Sequence, residues 1–168
     1  MATGSDRPEA SSAEVHVLFA GYVNFTTTVG RVASTVAFVR DGNVRVILDP
    51  GMVPDPKSIL EPLAALGESP ARITDVIFSH HHPDHTLHAA LFAHARFHDH
   101  WAIYQGDGWQ KRRAEGYAVT ASIRLIETPG HTPIPFRLGE PRDRETMHED
   151  TERAHAHTTC VYSANACA

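Results

Sequence analysis

The stretch that decides the fold of this chain is Ser79-His80-His81-His82-Pro83-Asp84-His85-Thr86. It follows an apolar, β-branched run at 73–78, which predicts a buried strand that ends at Ser79. Pro83 cannot continue a β-ladder, so the chain should bend there and enter a short helix. The pattern therefore predicts a histidine-rich loop at the carboxyl end of a strand, where α/β sheets commonly bind ligands.

The spacing of the histidines predicts metal binding. His80 and His82 are two residues apart, so in extended backbone they point to the same side and His81 points to the other. Two imidazoles in that arrangement can occupy two corners of a zinc tetrahedron at about 2.0–2.1 Å. Asp84 and His85 lie past the bend, close enough to hold a second ion beside the first. Imidazole with carboxylate suits zinc, and also manganese or iron.

At these residues the chain resembles a known family. His-x-His-x-Asp-His after a buried strand is similar to the signature of the metallo-beta-lactamase fold superfamily of metallohydrolases, and small bacterial members look most similar. The resemblance runs from about Val15 to His131. It implies an α/β (α+β) fold, the αββα sandwich, and metal-dependent hydrolysis. The alternative is an affinity tag or a solvated histidine tract, but a tag would lie at a terminus without an aspartate inside it.

Two other motifs fit the resemblance. Asp49 follows a strand at 44–48, where the superfamily has Asp-Thr-Gly or similar, and this implies an aspartate that supports the metal ligands from behind. The alternative is a turn residue before Pro-Gly. At 128–132 the chain reads Thr-Pro-Gly-His-Thr, and the resemblance implies that His131 joins His80 and His82 as the third ligand.

The remaining pattern predicts alternating strands and one amphipathic helix. Strands are predicted at 15–19, 34–39, 44–48, 96–98, 101–104 and 122–126, a helix after Asp55-Pro56, and a polar loop at 106–116. Four histidines are interpreted as surface residues: His88, His94, His98 and His100. Three aromatic residues either line a substrate cleft or belong to the core, and the core is the commoner case: Trp101, Tyr104 and Trp109.

The chain length predicts one domain with two atypical ends. Its 168 residues divide into a disordered N-terminal tail at 1–13, a metallo-beta-lactamase-like domain at 14–132 and a polar C-terminal tail at 133–168. Beyond 132 the superfamily's pattern of strands, bridging aspartate and final histidine is missing. We therefore expect a sandwich that is truncated at the C-terminus. The tail would then come from a frameshift or an altered end of the gene. Uncovered core surface would then favour self-association into a homo-oligomer.

The composition indicates which partners and which cellular location to expect. The formal charge of −5 without a basic run makes a nucleic-acid partner unlikely, so a small-molecule substrate is expected. No apolar stretch of about 20 residues is present, which argues against a membrane span. Two cysteines near the C-terminus, Cys160 and Cys167, form a poor disulfide framework, so a reducing cytoplasm is the expected location.

The resemblance and the motif together predict a zinc-dependent hydrolase with one or two ions. The expected metal ligands are His80, His82, Asp84, His85 and His131, and Asp84 is also expected to orient the water that zinc activates. That water would attack an ester, lactone, thioester or related bond. Two alternatives stay open. One is a ribonuclease-like member that cleaves phosphodiesters, and the other is a degenerate metal-binding domain without catalysis.

Overall fold

The structure, a computed structural model, describes residues 13–129 and 157–163 of the chain. The strands are β1 (Glu14–Phe19), β2 (Tyr22–Phe25), β3 (Gly30–Ala33), β4 (Val36–Asp41), β5 (Val44–Leu48), β6 (Asp75–Ile77), β7 (Arg96–His98), β8 (Ala102–Gln105), β9 (Gly108–Lys111), β10 (Ile123–Pro129) and β11 (His157–Ser163). The α-helices are α1 (Lys57–Ala65) and α2 (Pro83–Thr86), with 3-10 turns at Pro70–Arg72 and Ala89–Phe92.

Seven strands form one mixed sheet in the order β1-β4-β5-β6-β7-β8-β9. The outer pairs are antiparallel, whereas β5, β6 and β7 run parallel to one another. The predicted tight turn between β4 and β5 is present, with Gly42 at a φ of 56°. Because parallel neighbours end on the same side, the carboxyl ends of the three central strands meet at one edge of the sheet.

The central strands of the seven-stranded sheet are buried on both faces, because successive side chains of a strand point to opposite faces. On one face, Phe38 and Ile47 pack with Ile59 and Leu63 of α1. On the opposite face, the neighbouring side chains Val39, Val46 and Ile77 pack with Ile123 and Leu125 of β10. A helix layer, a large sheet and a second, two-stranded sheet of β10 and β11 are thus stacked in that order, which confirms the predicted fold class.

Two sequence predictions about local structure were wrong. The expected polar loop at 106–116 contains β9, because Gly106 adopts a φ of 59° and turns the chain back to pair with β8. The tail at 133–168 was expected to contain no strand, but its backbone at 157–163 pairs antiparallel with β10 as β11. The predicted bend into a short helix at Pro83 is confirmed, since Pro83 occupies the first turn of α2, where its missing N–H costs nothing.

No helix in the described ranges, 13–129 and 157–163, combines the length and the apolar character needed to cross a bilayer.

Candidate metal centre

The predicted site residues lie where the three parallel strands end. Asp49 follows β5, the metal loop (residues 79–86) follows β6, and Asp99 follows β7. The backbone joins the first two, since the Asp49 N–H donates to the carbonyl of Ile77 at 3.0 Å. Sheet topology therefore brings together side chains that are 30 residues or more apart in sequence, Asp49 and Ser79 being one such pair.

His80 and His82 form the first pair of candidate ligands. Nε2 of His80 lies 3.1 Å from Nδ1 of His82, and the two rings meet edge to face at 4.7 Å between centroids. Two nitrogens bound to one tetrahedral zinc at about 2.0–2.1 Å are about 3.3–3.4 Å apart. The pair is therefore spaced to chelate one ion with only a small adjustment. His80 is buried and His82 is half-buried, so the pair faces a partly desolvated site.

Asp84 and His85 form the second pair. Nε2 of His85 lies 3.4 Å from Oδ2 of Asp84, again a separation that suits two ligands of one ion. The His85 ring is 3.9 Å from the His80 ring between centroids, so the two pairs are adjacent. The four side chains expected from the spacing of the motif are thus brought together, and their role as ligands remains a prediction.

Asp49 lies behind the second pair, as the resemblance implied. Its Oδ2 accepts a hydrogen bond from Nδ1 of His85 at 2.9 Å, and its Oδ1 accepts one from the Ser79 N–H at 2.7 Å. A proton on Nδ1 leaves the lone pair on Nε2, which is the nitrogen that faces Asp84. Burial opposes protonation of His85, but the hydrogen bond and charge of Asp49 and the charge of Asp84 outweigh it and raise the pKa of the ring.

Asp99 is a residue that the motif did not predict. Its Oδ2 lies 3.3 Å from Nε2 of His81, the histidine that points away from the first ligand pair. The same carboxylate accepts hydrogen bonds from the N–H groups of Trp101 and Ala102 and from the hydroxyl of Tyr104. Burial opposes ionisation, but these bonds outweigh it and hold the pKa of Asp99 below its usual value. The available signal was an aspartate directly after a strand, as at Asp49.

The histidines outside the motif differ from expectation in one case. His98 was interpreted as a surface residue, but its ring is buried and Nε2 donates to Oδ1 of Asp75 at 2.8 Å. Alternate residues of β7 face the second sheet, and His98 is one of them. Nδ1 of His88 contacts the Gly51 carbonyl oxygen at 2.5 Å.

The expected third ligand, His131, and the boundary predicted at 132 lie outside the described residues. Within the described parts of the chain, no three histidine, cysteine, aspartate or glutamate side chains converge on one point. Each pair nevertheless fits a divalent transition metal, because imidazole nitrogen and carboxylate oxygen are its usual protein ligands and both separations suit chelation. Each pair would need further ligands, from protein or water.

Comparison with known proteins gives a family. The model of the metallo-beta-lactamase superfamily matches residues 29–159, most of the chain, and this match continues past the point where the motifs end. Metallo-beta-lactamase domain-containing protein 1 of Xenopus laevis is 30% identical over 127 residues, which are 70% of this chain and 53% of that protein. The chain thus spans about half the length of this relative.

Two solved structures are also similar over half of the chain. A Thermotoga maritima protein described as a metallo-beta-lactamase is 34% identical, with a TM-score of 0.47 over 51% of this chain and 42% of that one. The chemotaxis sensor ODP, solved as a peroxy diiron species, is 20% identical, with a TM-score of 0.39 over 51% of this chain and 33% of that one.

Proposed function

We propose, on the premise that this chain belongs to the metallo-beta-lactamase superfamily, that it hydrolyses an ester, lactone or thioester with zinc bound at His80 and His82. Membership of the superfamily supports metal-dependent hydrolysis as the general class of reaction. The observation that carries the proposal is the 3.1 Å separation of Nε2 of His80 and Nδ1 of His82. That separation places two imidazole nitrogens close enough together to bind one ion.

The surrounding side chains support this chemistry. When bound, the metal supplies a Lewis acid and lowers the pKa of a coordinated water. Asp49 holds the proton of His85 on Nδ1 and so directs Nε2 toward Asp84. The Asp84 carboxylate can bind a second ion or accept a hydrogen bond from an attacking water and so orient it. We expect the second pair to bind more weakly, because the resemblance gives the first pair a third ligand, His131, and gives the second pair none.

Two other functions remain as alternatives. Cleavage of phosphodiesters in RNA was suggested by the similar small members of the superfamily, and the acidic formal charge of −5 argues against it. A metal-binding domain without catalysis is suggested by the two described ligands in each pair. Both alternatives retain the metal. The first differs from the proposal in the bond that is cleaved, and the second has no hydrolytic activity.

Metal content is the first test. The purified chain should contain at least one tightly bound transition metal, and the double variant His80→Ala/His82→Ala should lose it, because it removes both donors of the first pair. His94→Ala is the matched control, since His94 is exposed and lies outside the metal loop. Inductively coupled plasma mass spectrometry measures the outcome. Unchanged metal content in the double variant would refute the site.

The reaction is tested separately with chromogenic ester, lactone, thioester and phosphodiester substrates. The proposal expects turnover of at least one of the first three, abolished by chelation and restored by zinc, manganese or iron. Turnover of the phosphodiester alone would favour the RNA-cleaving alternative. Bound metal without any turnover would favour the non-catalytic one.

A further inference from the structure

A cleft on the β8–β9 hairpin is not part of the metal centre described above. Its volume is about 640 Å³, which is the size of a site for a small organic molecule. The lining residues are Trp101, Tyr104, Gly106, Asp107, Gly108, Trp109 and Lys111. Three aromatic residues thus line one small cleft, which is the less common of the two placements that the sequence left open for them.

Strand register explains why the aromatic rings meet. Tyr104 of β8 pairs directly with Trp109 of β9, so their side chains share one face of the hairpin. The two rings are nearly parallel, with 15° between their planes and 6.1 Å between centroids. Trp109 is 62% exposed, which leaves most of its large apolar surface available to a ligand.

Hydrogen bonds connect the wall of the cleft to the metal loop. The Trp101 Nε1–H donates to the Tyr104 hydroxyl at 2.7 Å, and that hydroxyl donates to Oδ2 of Asp99 at 2.9 Å. The same Oδ2 is 3.3 Å from Nε2 of His81. The ring of His81 also stacks on Trp101, with 6.3 Å between centroids and 28° between planes. The cleft therefore adjoins the loop that carries the candidate ligands, and its polar groups fix the orientation of the rings.

We propose that this cleft binds a planar, uncharged apolar group of the substrate, such as an aryl ring, while the bond to be cleaved lies at the metal loop. Flat rings prefer to stack on other flat rings, and the cleft offers Tyr104 and Trp109 in a nearly parallel arrangement. Asp107 and Lys111 line the cleft with opposite charges, so it does not favour a net charge on the ligand. Hydrolysis of such a substrate rests on the proposed function, but the binding step does not.

Tryptophan fluorescence tests the binding step without any need for activity. The chain contains two tryptophans, and both line the cleft, so their emission reports on this site. The full chain, first stripped of metal by a chelator and then with zinc restored, is titrated with 2-naphthol. Cyclohexanol, which is apolar but not planar, serves as the comparison ligand. The proposal expects saturable quenching by 2-naphthol in both metal states, and it expects an equal concentration of cyclohexanol not to reverse that quenching.

Three variants make the test specific. Trp109→Ala should weaken 2-naphthol binding about fivefold to tenfold, followed through the emission of Trp101, and Trp109→Phe should restore most of the affinity. Val17→Ala on β1 is the control, because Val17 has the same 62% exposure and lies far along the sheet order. Equal affinity in Trp109→Ala and the unchanged chain, or displacement of 2-naphthol by an equal concentration of cyclohexanol, would overturn the proposal.

Activity then separates this inference from the proposed function. Turnover of 1-naphthyl acetate in which Trp109→Ala raises KM, with little change for ethyl acetate, supports both. Specific 2-naphthol binding without turnover of any ester, lactone or thioester keeps the cleft and overturns the hydrolase. Turnover with the same KM in the unchanged chain and Trp109→Ala keeps the hydrolase and overturns the cleft.

Discussion

Gly51, two residues after Asp49, allows the two loops of the metal centre to touch. A Cβ placed on Gly51 would lie only 1.5 Å from the carbonyl oxygen of Asp84, which is an impossible contact with backbone. The same carbonyl accepts hydrogen bonds from the N–H groups of Ser34 and Met52, both at 3.2 Å. The backbone of the second ligand pair is therefore held by close packing that tolerates no side chain at Gly51.

Gly51→Ala should displace the backbone at Asp84 and weaken metal binding more than it weakens the fold. Binding sites held to within about 0.5 Å lose function when the support moves, and supporting residues typically contribute about 10-fold to 100-fold in metal affinity. Isothermal titration calorimetry of the metal-free protein would measure the loss.

Gly108→Ala is the control for this substitution, because the nearest atom to its added Cβ would be at an ordinary 3.5 Å. Equal metal affinity in Gly51→Ala and in the control would show that the close approach has no part in the site.

At the scale of elements, a buried polar cluster joins β6 to β7 just before the metal loop. Asp75 at the start of β6 is fully buried, and its Oδ1 lies 2.8 Å from Nε2 of His98 and 2.8 Å from the Arg96 guanidinium. Burial opposes ionisation of Asp75, but the hydrogen bonds from His98, Thr74 and Arg96 outweigh it and lower the pKa of this carboxyl below 3.8. The cluster aligns the two parallel strands whose ends carry the metal loop and Asp99.

Asp75→Asn should lower the free energy of unfolding near neutral pH by about 2 kcal/mol, because charged hydrogen bonds in a buried cluster are lost. The lowered pKa gives the pH dependence. The unfolded carboxyl binds its proton first as pH falls, so the contribution is complete above about pH 3.8 and disappears as pH falls through the lower folded pKa.

Urea unfolding from about pH 6 to about pH 2 would measure this difference. The gap between the unchanged chain and Asp75→Asn should close in the acid part of the range. Glu61→Gln on the exposed face of α1 is the control, and a gap that is independent of pH would contradict the assignment.

For the whole molecule, β6, the strand that leads into the metal loop, contributes to two separate cores. One apolar cluster joins the sheet to α1, and the other joins it to β10. Ile77 belongs to the second cluster and Val76 to the first, and both lie directly before the metal loop. An ion held by the loop would therefore stabilise the strand that contributes to both cores, because a ligand of the native state stabilises that state.

Chelation should lower the unfolding temperature of the metal-loaded chain. A ligand present at about 100 times its Kd stabilises by about 2.7 kcal/mol, which for a chain of this length corresponds to about 5–10 °C. Differential scanning calorimetry with and without EDTA, at two protein concentrations, measures the shift and also any contribution from self-association.

The double variant His80→Ala/His82→Ala should unfold at the lower temperature whether or not EDTA is present. A transition of the unchanged chain that is indifferent to chelator and to concentration would show that the fold is complete without metal or a second copy.

The sequence by itself determined the central strands and placed the motif side chains on one loop, and their role as metal ligands stays a prediction. Short apolar, β-branched runs predicted β1, β4, β5 and β6, since strand propensity is a local property of each run. The spacing of the four motif side chains predicted two ligand pairs, because residues so close in sequence cannot be far apart in space. Asp49 could be placed from its position after β5, by analogy with the family's motif.

Only the tertiary structure decided what depends on neighbours distant in sequence. The strand order brings Asp99 beside His81 and buries His98 against Asp75, and neither contact has a local signal. The pairing of β8 with β9 turns a stretch that reads as a polar loop into one wall of an aromatic cleft. Hydrogen bonds between strands compensate for weak local propensity, and their energy is realised only when the partner strand is already in place.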